Sequence, residues 1–422
     1  MLDLKFIREN PEKVRAGLAA KNDRRGIDEI LRLDERRREL IKEADVLKEK
    51  RNKVSMDVAR LKKEGKDASG IIAEMKLVSD RIAAFDRERR EVEEKVDELL
   101  RWIPNLPHSS VPVASDETGN VEIRSWGKKP DFTFTPAPHW ELGEKLGLLD
   151  MASAAKISGA GFITFTGWGA KLERALINFM LDMHTRKHGY KEVSPPFLVN
   201  RASMYGTGQL PKLEEDMYGL KEDDLFLIPT AEVPLTNLFR EEILSPERMP
   251  IYVTAYTPCF RREAGAAGKD TRGITRVHQF DKVEIVKIVR PEGSYDELES
   301  LVQNAEAILQ ALGLHYRVRL LASGDMSFAS AKTYDLEVWA PGIGKYLEVS
   351  SCSNFEDFQA RRMNLRYRPA PEARLEYPHT LNGSGLALPR TAIAILEQYQ
   401  TVKGTVRIPE DLVPYLGTKE LV

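Results

Sequence analysis

Cysteine is scarce in this sequence of 422 residues, and long apolar runs are missing. The two cysteines, Cys259 and Cys352, lie far apart. Neither has a second Cys or a His at metal-ligand spacing, which argues against a zinc cluster or a disulfide framework. No segment approaches membrane-spanning length, and residues 1–20 alternate charged and apolar residues instead of forming the apolar core of a signal peptide. We therefore expect an untargeted protein of a reducing cytoplasm, with no membrane partner.

Excess charge and the common nucleotide-binding loops are also missing. The formal net charge is only −2 although 30% of the residues are charged, so affinity for a polyanion has to come from local basic patches. The motifs GxGxxG and GxxxxGK[ST] and the kinase loop set do not occur, which excludes a Rossmann cofactor site and a Walker-type phosphate loop. An ATP-dependent reaction therefore needs a different site. The length and the 42% hydrophobic content predict a large core and two or more domains.

An apolar seven-residue repeat runs through the N-terminal quarter of the chain, in two segments separated by the polar stretch 64–70. The repeat comprises Ile30, Leu33, Leu40, Ala44, Leu47, Val54, Val58 and Leu61, and then Ile71, Met75, Val78, Ile82, Phe85, Val92, Val96 and Leu99. Each stripe is typical of a helix that is buried along one narrow face. Two such helices joined by a short turn predict an antiparallel coiled-coil arm, roughly 45 to 55 Å long at ~1.5 Å per residue.

The predicted arm carries many cations toward its turn. They include Lys48, Lys50, Arg51, Lys53, Arg60, Lys62 and Lys63. A solvated coiled-coil surface has the same charge pattern, so charge alone does not decide between that interpretation and a polyanion-binding surface. The length of the arm favours binding, because a long hairpin buries little outside itself and reaches away from its base.

The chain changes character between residues 103 and 138. This stretch contains Pro104, Pro107, Pro112, Pro130, Pro136 and Pro138 and is typical of a linker with the first strands of a following domain. Beyond it, β-branched apolar runs at 251–255, 283–289 and 316–321 are spaced without a regular βαβ rhythm. The sequence therefore predicts an α+β protein: a long helical hairpin followed by a domain built on an antiparallel sheet flanked by helices.

Two strand-like segments, 258–265 and 275–284, enclose a loop at 266–273 that contains Gly, Lys and Arg. With a period of two, Arg261 and Glu263 share one face of the first segment, and Arg276, Phe280 and Glu284 share one face of the second. If these faces coincide, one surface offers a guanidinium for phosphate, an aromatic ring for a base and carboxylates for amines and hydroxyls. A cross-strand ladder of salt bridges is the alternative interpretation of the same pattern.

Three short motifs occur in and around this loop: FRREAG at 260–265, KDTRG at 269–273 and VHQF at 277–280. Together they resemble motif 2 of seryl-tRNA synthetases of the bacterial type, a class II aminoacyl-tRNA synthetase family. NGSGLALPR at 382–390 is similar to motif 3, IPTAE at 228–232 to the serine-binding loop, and 172–196 more weakly to motif 1. The resemblance implies an RNA-binding arm at 1–102, a linker with the first strands at 103–138 and a class II catalytic domain at 139–422.

The resemblance also implies site residues. The expected catalytic residues are Arg261, Arg390 and Glu348. The expected ATP-binding residues are Arg261, Arg262, Glu263, Val277, Phe280, Glu348, Val349, Ser350, Ser351 and Arg390, with Glu348 and Ser351 also binding Mg²⁺ through oxygen ligands. Arg262 stands where the family often has serine, and its place between two inward-facing residues should turn it away from the site. Without the resemblance, the segment with Glu348 and Ser351 is an ordinary edge strand, and Arg390 an arginine at a helix start.

Serine selection requires a small polar pocket. The expected serine-binding residues are Thr230, Ala231, Glu232, Arg261, Glu284, Asn382 and Ser384. Unpaired polar groups should penalise alanine, while threonine has to be excluded by lack of room for one methyl group, an effect limited to roughly 1 to 3 kcal/mol. An alternative role for Thr230 is to cap the helix that follows it, and the two roles are compatible.

The implied reaction is attack of the serine carboxylate on the α-phosphate of ATP, followed by transfer of serine to tRNA(Ser) and also to tRNA(Sec). The arm residues Lys48, Lys50, Arg51, Lys53 and Arg60 should bind the RNA, across the subunits of a homodimer. Rival interpretations are a class II synthetase for threonine or proline, which usually adds a C-terminal anticodon-binding domain, a binding protein that has lost catalysis, and an enzyme that loads a carrier protein. The presence of Arg261, Glu348 and Arg390 argues against lost catalysis.

Overall fold

The computed structural model describes residues 1–264 and 272–422, and these residues form two compact units. One comprises residues 1–19 and 23–104, and the other residues 20–22 and 105–422. The helices are α1 (Leu4–Glu9), α2 (Pro11–Ala20), α3 (Asp28–Lys63), α4 (Ser69–Leu100), α5 (His139–Lys145), α6 (Met151–Ser158), α7 (Trp168–Asp182), α8 (Arg201–Gly206), α9 (Glu232–Asn237), α10 (Ser294–Ala311), α11 (Phe358–Met363), α12 (Leu388–Gln398) and α13 (Val413–Leu416).

The strands belong to the larger unit. They are β1 (Val121–Trp126), β2 (Lys191–Glu192), β3 (Leu198–Asn200), β4 (Gly219–Leu220), β5 (Leu225–Leu227), β6 (Ile243–Leu244), β7 (Ile251–Phe260), β8 (Gln279–Val289), β9 (Tyr316–Leu320), β10 (Lys332–Ala340), β11 (Lys345–Asn354), β12 (Arg366–Tyr367), β13 (His379–Ala387), β14 (Val406–Arg407) and β15 (Glu420–Leu421). Among the described residues, no helix is both long and apolar enough to cross a membrane.

Helices α3 and α4 confirm the predicted hairpin. Every residue of the predicted repeat is buried or half-buried, and burial is most complete toward the base, at Ile30, Leu40 and Val96. Helix α3 ends at Lys63, two residues before Gly65, whose φ of 69° is not helical. At the start of α4 the Asp67 side chain accepts a hydrogen bond from the Ser69 amide. Helix α4 thus starts inside the stretch 64–70 that was expected to be turn.

A buried carboxylate fixes the base of the hairpin within the smaller unit. Asp34 on α3 has no exposed surface and pairs with Arg8 at 2.8 Å, Arg37 at 2.9 Å and Arg38 at 3.3 Å. Burial acts to raise the pKa of Asp34, but hydrogen bonds from Arg8 and Arg37 outweigh it and leave the pKa below its ordinary value. Through Arg8, Asp34 ties the N-terminal helix α1 to α3.

The larger unit is built on a sheet of eight strands in the order β1-β9-β10-β11-β13-β8-β7-β2, counted over the described residues. All neighbours pair antiparallel except β2 and β7, which confirms the predicted antiparallel α+β domain. One face of this sheet packs on α7, α10 and α12 in a continuous apolar core. The other face carries polar side chains and lines the cavities described below.

Candidate active site

Alternation along β8 directs its side chains to two environments. Val283 and Ile285 enter the apolar core, whereas Phe280, Lys282 and Glu284 line cavities on the opposite face of the sheet. This confirms the shared face predicted for Phe280 and Glu284. The pairing of β8 with β13 brings Ser384 directly opposite Glu284, so residues 100 positions apart in sequence line one site.

Three adjoining cavities, of about 830, 440 and 70 Å³, meet on this face. Arg261 lines all three. Its Nε donates to the Pro229 carbonyl at 3.3 Å, and its guanidinium lies 5.2 Å from the centre of the Phe280 ring. Its backbone amide donates to the His278 carbonyl at 2.8 Å, which holds the arginine beside the start of β8. Arg261 is therefore placed to contact ligands in more than one cavity at once.

The prediction that Arg261 and Glu263 continue a strand is wrong. Strand β7 ends at Phe260, and Arg276 precedes the start of β8. The backbone leaves the ladder because Asp216 accepts hydrogen bonds from the Arg262 amide at 3.0 Å and the Ala264 amide at 3.1 Å. Glu263 has a φ of 51°, which lies in the left-handed region and breaks the period of two. The loop predicted at 266–273 lies outside the described residues from 266 to 271.

Glu263 and Arg276 nevertheless face each other and form an ion pair at 2.5 Å. The alternative interpretation of the charge pattern, a salt bridge between the two segments, thus holds for this pair. Both residues also line the two smaller cavities together with Arg261. The ion pair and a ligand-binding surface are therefore present at the same place.

The residues expected to bind serine converge on the largest cavity. Thr230, Glu232, Glu284, Asn382 and Ser384 all line it, although each is at least nine-tenths buried. Glu232 accepts a hydrogen bond from Gln359 at 2.6 Å. Burial, and then repulsion from Glu284, raise the pKa of Glu232 to about 7. Burial likewise raises the pKa of Glu284, against the opposing effect of Lys282.

Thr230 occupies the turn before α9, but the helix cap is Ala231 and has no side-chain hydrogen bond. The Thr230 hydroxyl accepts a hydrogen bond from the Glu232 amide at 3.2 Å. Thr230 therefore binds an amide of the first helical turn, although it lies one position before the cap. The same hydroxyl accepts a hydrogen bond from Lys282 at 2.9 Å. Thr230 is thus tied both to the start of α9 and to the cavity wall.

Arg390 lies in the first turn of α12, where the strand β13 turns into the helix. Its Nε donates to the Thr275 carbonyl at 3.2 Å, and its Nη1 donates to the Glu348 carbonyl at 2.8 Å. The Glu348 carboxylate lies 3.8 Å from the same guanidinium. Arg390 lines the smallest cavity with Phe280, Val277, Val349 and Glu348, which are all residues that were expected at the ATP site.

The chemistry of the Glu348 and Ser351 positions fits Mg²⁺, because both offer oxygen ligands toward the same cavity. Across the ladder from Ser351 lies Asp335, whose Oδ1 is buried and has no hydrogen-bond partner. No group of three or more His, Cys, Asp or Glu side chains suited to a metal occurs within residues 1–264 and 272–422. A bound Mg²⁺ would therefore take most of its ligands from water and substrate phosphate, as this ion usually does.

Three predicted site residues do not present their side chains to these cavities. Arg262 is exposed, in line with the expectation that it points away. Ala231 is fully buried, and the Ser350 hydroxyl donates to the Ser384 carbonyl at 2.6 Å. None of the three is among the described residues that line the cavities.

Other residues of the site were missed from the sequence. Lys282, which lies between Thr230 and Glu284, has the same period-two signal as Phe280 and Glu284 and was therefore recognisable. Gln359 and Asp335 lie far from every motif in the sequence, and no local pattern marks them.

The cations predicted to bind RNA lie on α3, and most of them are already in ion pairs. The pairs are Lys48 with Asp86, Lys50 with Glu74, Lys53 with Glu49 and Arg60 with Asp57. Arg51 forms no ion pair with the described residues. The pair of Lys48 and Asp86 is half-buried and the others are solvent-exposed, and such surface pairs are individually weak, so a polyanion can compete for the cations.

Comparison with known proteins gives one consistent result. Residues 1–107 match the family described as "Seryl-tRNA synthetase N-terminal domain", and residues 215–399 match "tRNA synthetase class II core domain (G, H, P, S and T)". The serine–tRNA ligase of Carboxydothermus hydrogenoformans is 56% identical over 421 residues, covering 100% of this chain and 99% of its own. The serine–tRNA ligase of a Geobacillus species is 59% identical over 423 residues, covering both chains completely.

A solved structure agrees with these relatives. The seryl-tRNA synthetase from Pyrococcus horikoshii, determined in complex with ATP, superposes with a TM-score of 0.96 at 40% identity and covers 100% of this chain and 99% of its own.

Proposed function

The chain belongs to the seryl-tRNA synthetase family, and on that premise we propose how its residues divide the work of joining serine to tRNA. The overall reaction is that of the family: serine and ATP give seryl-adenylate and pyrophosphate, and serine then passes to the 3′ end of the tRNA while AMP is released. The class II core alone is shared with enzymes for other amino acids. The N-terminal domain and the full-length relatives distinguish serine from them.

Arg261 joins the two substrates. The observation that carries this proposal is its position on all three adjoining cavities, one of which contains the serine candidates and another Phe280 and Arg390. A planar guanidinium can hold the serine carboxylate and the α-phosphate in line at the same time. Phe280 stacks on adenine, and Glu263 contacts the adenine amino group or the end of the RNA.

Arg390 and Glu348 act on the phosphates. Arg390 contacts the γ-phosphate from the N-terminal turn of α12, where free backbone amides also favour an anion. Glu348 and Ser351 would hold Mg²⁺, which supplies positive charge to the phosphate oxygens when it is bound. The two arginines then neutralise charge that develops on the pyrophosphate leaving group.

The serine site uses the polar wall of the largest cavity. Glu232 holds the ammonium, with Thr230 and the Ala231 backbone beside it, while Glu284 and Ser384 contact the hydroxyl, and Asn382 supports Glu232 by a hydrogen bond. No side-chain nucleophile takes part, because the terminal ribose hydroxyl attacks the mixed anhydride directly. His278 is structural: its Nδ1 lies 3.0 Å from the Arg261 carbonyl, and its ring packs on Phe162.

We assign RNA binding to residues 1–102, with Lys48, Lys50, Arg51, Lys53 and Arg60 contacting the RNA, and catalysis to residues 139–422, joined by 103–138. tRNA(Ser) is the principal substrate, and tRNA(Sec) is charged as well. The enzyme acts in the cytoplasm as a homodimer in which the arm of one subunit serves the site of the other. A mass measurement in solution tests the dimer.

Pyrophosphate exchange with each of the twenty amino acids tests the assignment directly. We expect exchange with serine alone at full rate, and loss of this exchange in Arg261→Ala with unchanged circular dichroism. Arg407→Ala is the control, because Arg407 is an exposed arginine that lines no described cavity. Full exchange with another amino acid, or an active Arg261→Ala variant, would contradict the proposal.

A further inference from the structure

Lys282 is a buried lysine at the centre of the site. Its side chain is only 7% exposed, and it lines both the largest and the smallest cavity. Its Nζ lies 2.5 Å from Glu284 Oε2 and 2.9 Å from the Thr230 hydroxyl. A lysine in such a place needs a reason, because a buried ammonium costs several kcal/mol unless it is paired and hydrogen-bonded.

The two carboxylates of the pocket have different partners. Glu284 is paired with Lys282, whereas Glu232 is held by the neutral amides of Gln359 at 2.6 Å and Gln209 at 3.5 Å. The charge of Glu232 is thus left for an ammonium group of the ligand. The charge of Glu284 is already balanced by Lys282, and Glu284 is left to accept hydrogen bonds.

The Thr230 hydroxyl is fixed by the same lysine. A hydroxyl has one proton and two lone pairs, and Thr230 accepts hydrogen bonds from the Glu232 amide and from Lys282. Both lone pairs are therefore used, and the hydroxyl is restricted to donating its proton. Lys282 therefore orients the Thr230 hydroxyl as a donor and holds the Glu284 carboxylate as an acceptor on the cavity wall.

We propose that Lys282 is a positioning residue for serine selection, because it holds the Glu284 carboxylate in the arrangement that receives the hydroxyl of the substrate and fixes the neighbouring Thr230 hydroxyl. This inference rests on the proposed serine site. An amino acid that lacks the hydroxyl leaves the prearranged Glu284 carboxylate without this hydrogen bond, and polar groups left unpaired in a buried site give strong discrimination. Lys282 thereby contributes to the preference for serine over alanine.

The test compares serine and alanine in pyrophosphate exchange for Lys282→Met, which keeps the length and removes the charge. We expect kcat/KM for serine to fall by about 30- to 100-fold, while the low value for alanine and the KM for ATP change by less than about threefold. Lys282→Arg should recover part of the serine preference. The double variant Lys282→Met with Glu284→Gln should lose no more than Lys282→Met alone, because the two residues act as one unit.

Lys287→Met is the matched control. Lys287 is an equally buried lysine on the same strand, paired with Glu297 at 2.8 Å, and it lines none of the described cavities. Its loss should leave the serine-to-alanine ratio unchanged even if it lowers stability. If Lys282→Met does not fold, Lys282→Gln takes its place, and the same ratio decides.

Two results would overturn the inference. Equal loss for serine and alanine, or a large rise in the KM for ATP, would place Lys282 at the carboxylate or phosphate of the substrates. Unchanged kcat/KM values for both amino acids would give it a structural role only. Both results presuppose that the unmodified enzyme prefers serine, so a failure of the proposed function itself would appear separately, in the unmodified enzyme.

Discussion

Arg390 is held by backbone carbonyls and not by a full salt bridge. It donates to the carbonyls of Thr275 and Glu348, and its distance to the Glu348 carboxylate is 3.8 Å. Its charge is therefore available to a phosphate. We expect Arg390→Ala to lower pyrophosphate exchange by two to three orders of magnitude or roughly 3 to 4 kcal/mol, with an unchanged fold by circular dichroism. Arg407→Ala, a change at an exposed residue of β14, is the control. Near-normal exchange in Arg390→Ala would remove its catalytic assignment.

Glu232 makes stability depend on pH. Burial and repulsion from Glu284 raise the pKa of Glu232 to about 7, from an ordinary value of 4.5. The folded chain then binds more protons here than the unfolded chain, so this contribution to stability is full below about pH 4.5 and is lost as the pH rises through about 7. We expect Glu232→Gln to gain on the order of 2 kcal/mol relative to the unmodified chain between pH 5 and pH 8, measured by urea unfolding without ligand.

The same residue should couple serine binding to pH. If Glu232 binds the ammonium as a carboxylate, the KM for serine rises as the pH falls below about 7. In Glu232→Gln the KM is raised at all pH values and loses this dependence. If the difference in free energy of unfolding between the unmodified chain and Glu232→Gln does not change with pH, Glu232 titrates in its ordinary range and the stability prediction is wrong.

For single residues, the sequence predicts the members of the site that belong to recognisable motifs. It misses the members that come from segments distant from those motifs. Thr230, Glu232, Glu284 and Ser384 line the cavity as expected. Gln359 reaches Glu232 across 127 positions of sequence, and no spacing rule links them. Arg261 and Glu263 show a further limit, because Asp216 bends the backbone and ends the strand period that local alternation had predicted.

Among the elements, α3 carries the charges assigned to RNA recognition. We expect the combined change of Lys48, Lys50, Arg51 and Lys53 to Ala to weaken tRNA binding and to flatten its dependence on salt, because the slope falls by about 0.7 to 0.9 for each phosphate that the protein no longer neutralises. Filter binding at several salt concentrations measures both effects. A second variant is the control for total charge. It changes four cations nearer the base of the arm to Ala, namely Lys42, Arg87, Arg90 and Lys95. Equal losses in the two variants would argue against recognition by this region.

The elements were largely predictable where one pattern persists. Two uninterrupted stripes define α3 and α4, and β-branched runs define β7, β8 and β9. Asp34 shows what the pattern omits: a charged residue is fully buried on α3, because three arginines surround it. Periodicity counts apolar residues and cannot anticipate such a compensated charge.

The whole molecule separates into two compact units, and we expect this division to make the two half-reactions separable. Residues 28–101 belong to the smaller unit, and at the base of the hairpin Arg25 donates to the Trp102 carbonyl at 3.1 Å, so Ile27 and Trp102 can be joined by a short glycine linker. We expect the deletion to leave serine-dependent pyrophosphate exchange within about twofold and to abolish efficient tRNA charging. Exchange is the internal control for folding.

Substitution of the anticodon should change the rate of tRNA charging little. The resemblance to seryl-tRNA synthetases implies that the coiled-coil arm of the protein binds the long variable arm of the RNA. Full charging by the deleted protein, or loss of charging on anticodon substitution, would refute this account of recognition and leave the adenylation chemistry untouched.

The order of strands in the sheet is the part of the whole fold that the sequence did not predict. β13 pairs with β8 although β9 to β12 intervene in the chain, and β1 pairs with β9 across nearly 200 residues. Antiparallel pairing over such distances depends on the packing of α10 and α12 against the sheet. The class of sheet follows from the spacing of strands, whereas its connectivity follows from tertiary packing.

The two buried cysteines supply a natural probe of motion. Cys259 lies near the end of β7 and Cys352 lies in β11, and both are fully shielded from solvent. Burial raises the pKa of both thiols, that of Cys352 to about 12. Because the thiolate is the form that alkylates, modification under native conditions has to wait for the sheet to open locally. The rate of alkylation at each thiol therefore reports how often its strand separates from the sheet, and no label has to be introduced. If bound substrates lower this rate, the decrease measures how much they stabilise the closed sheet.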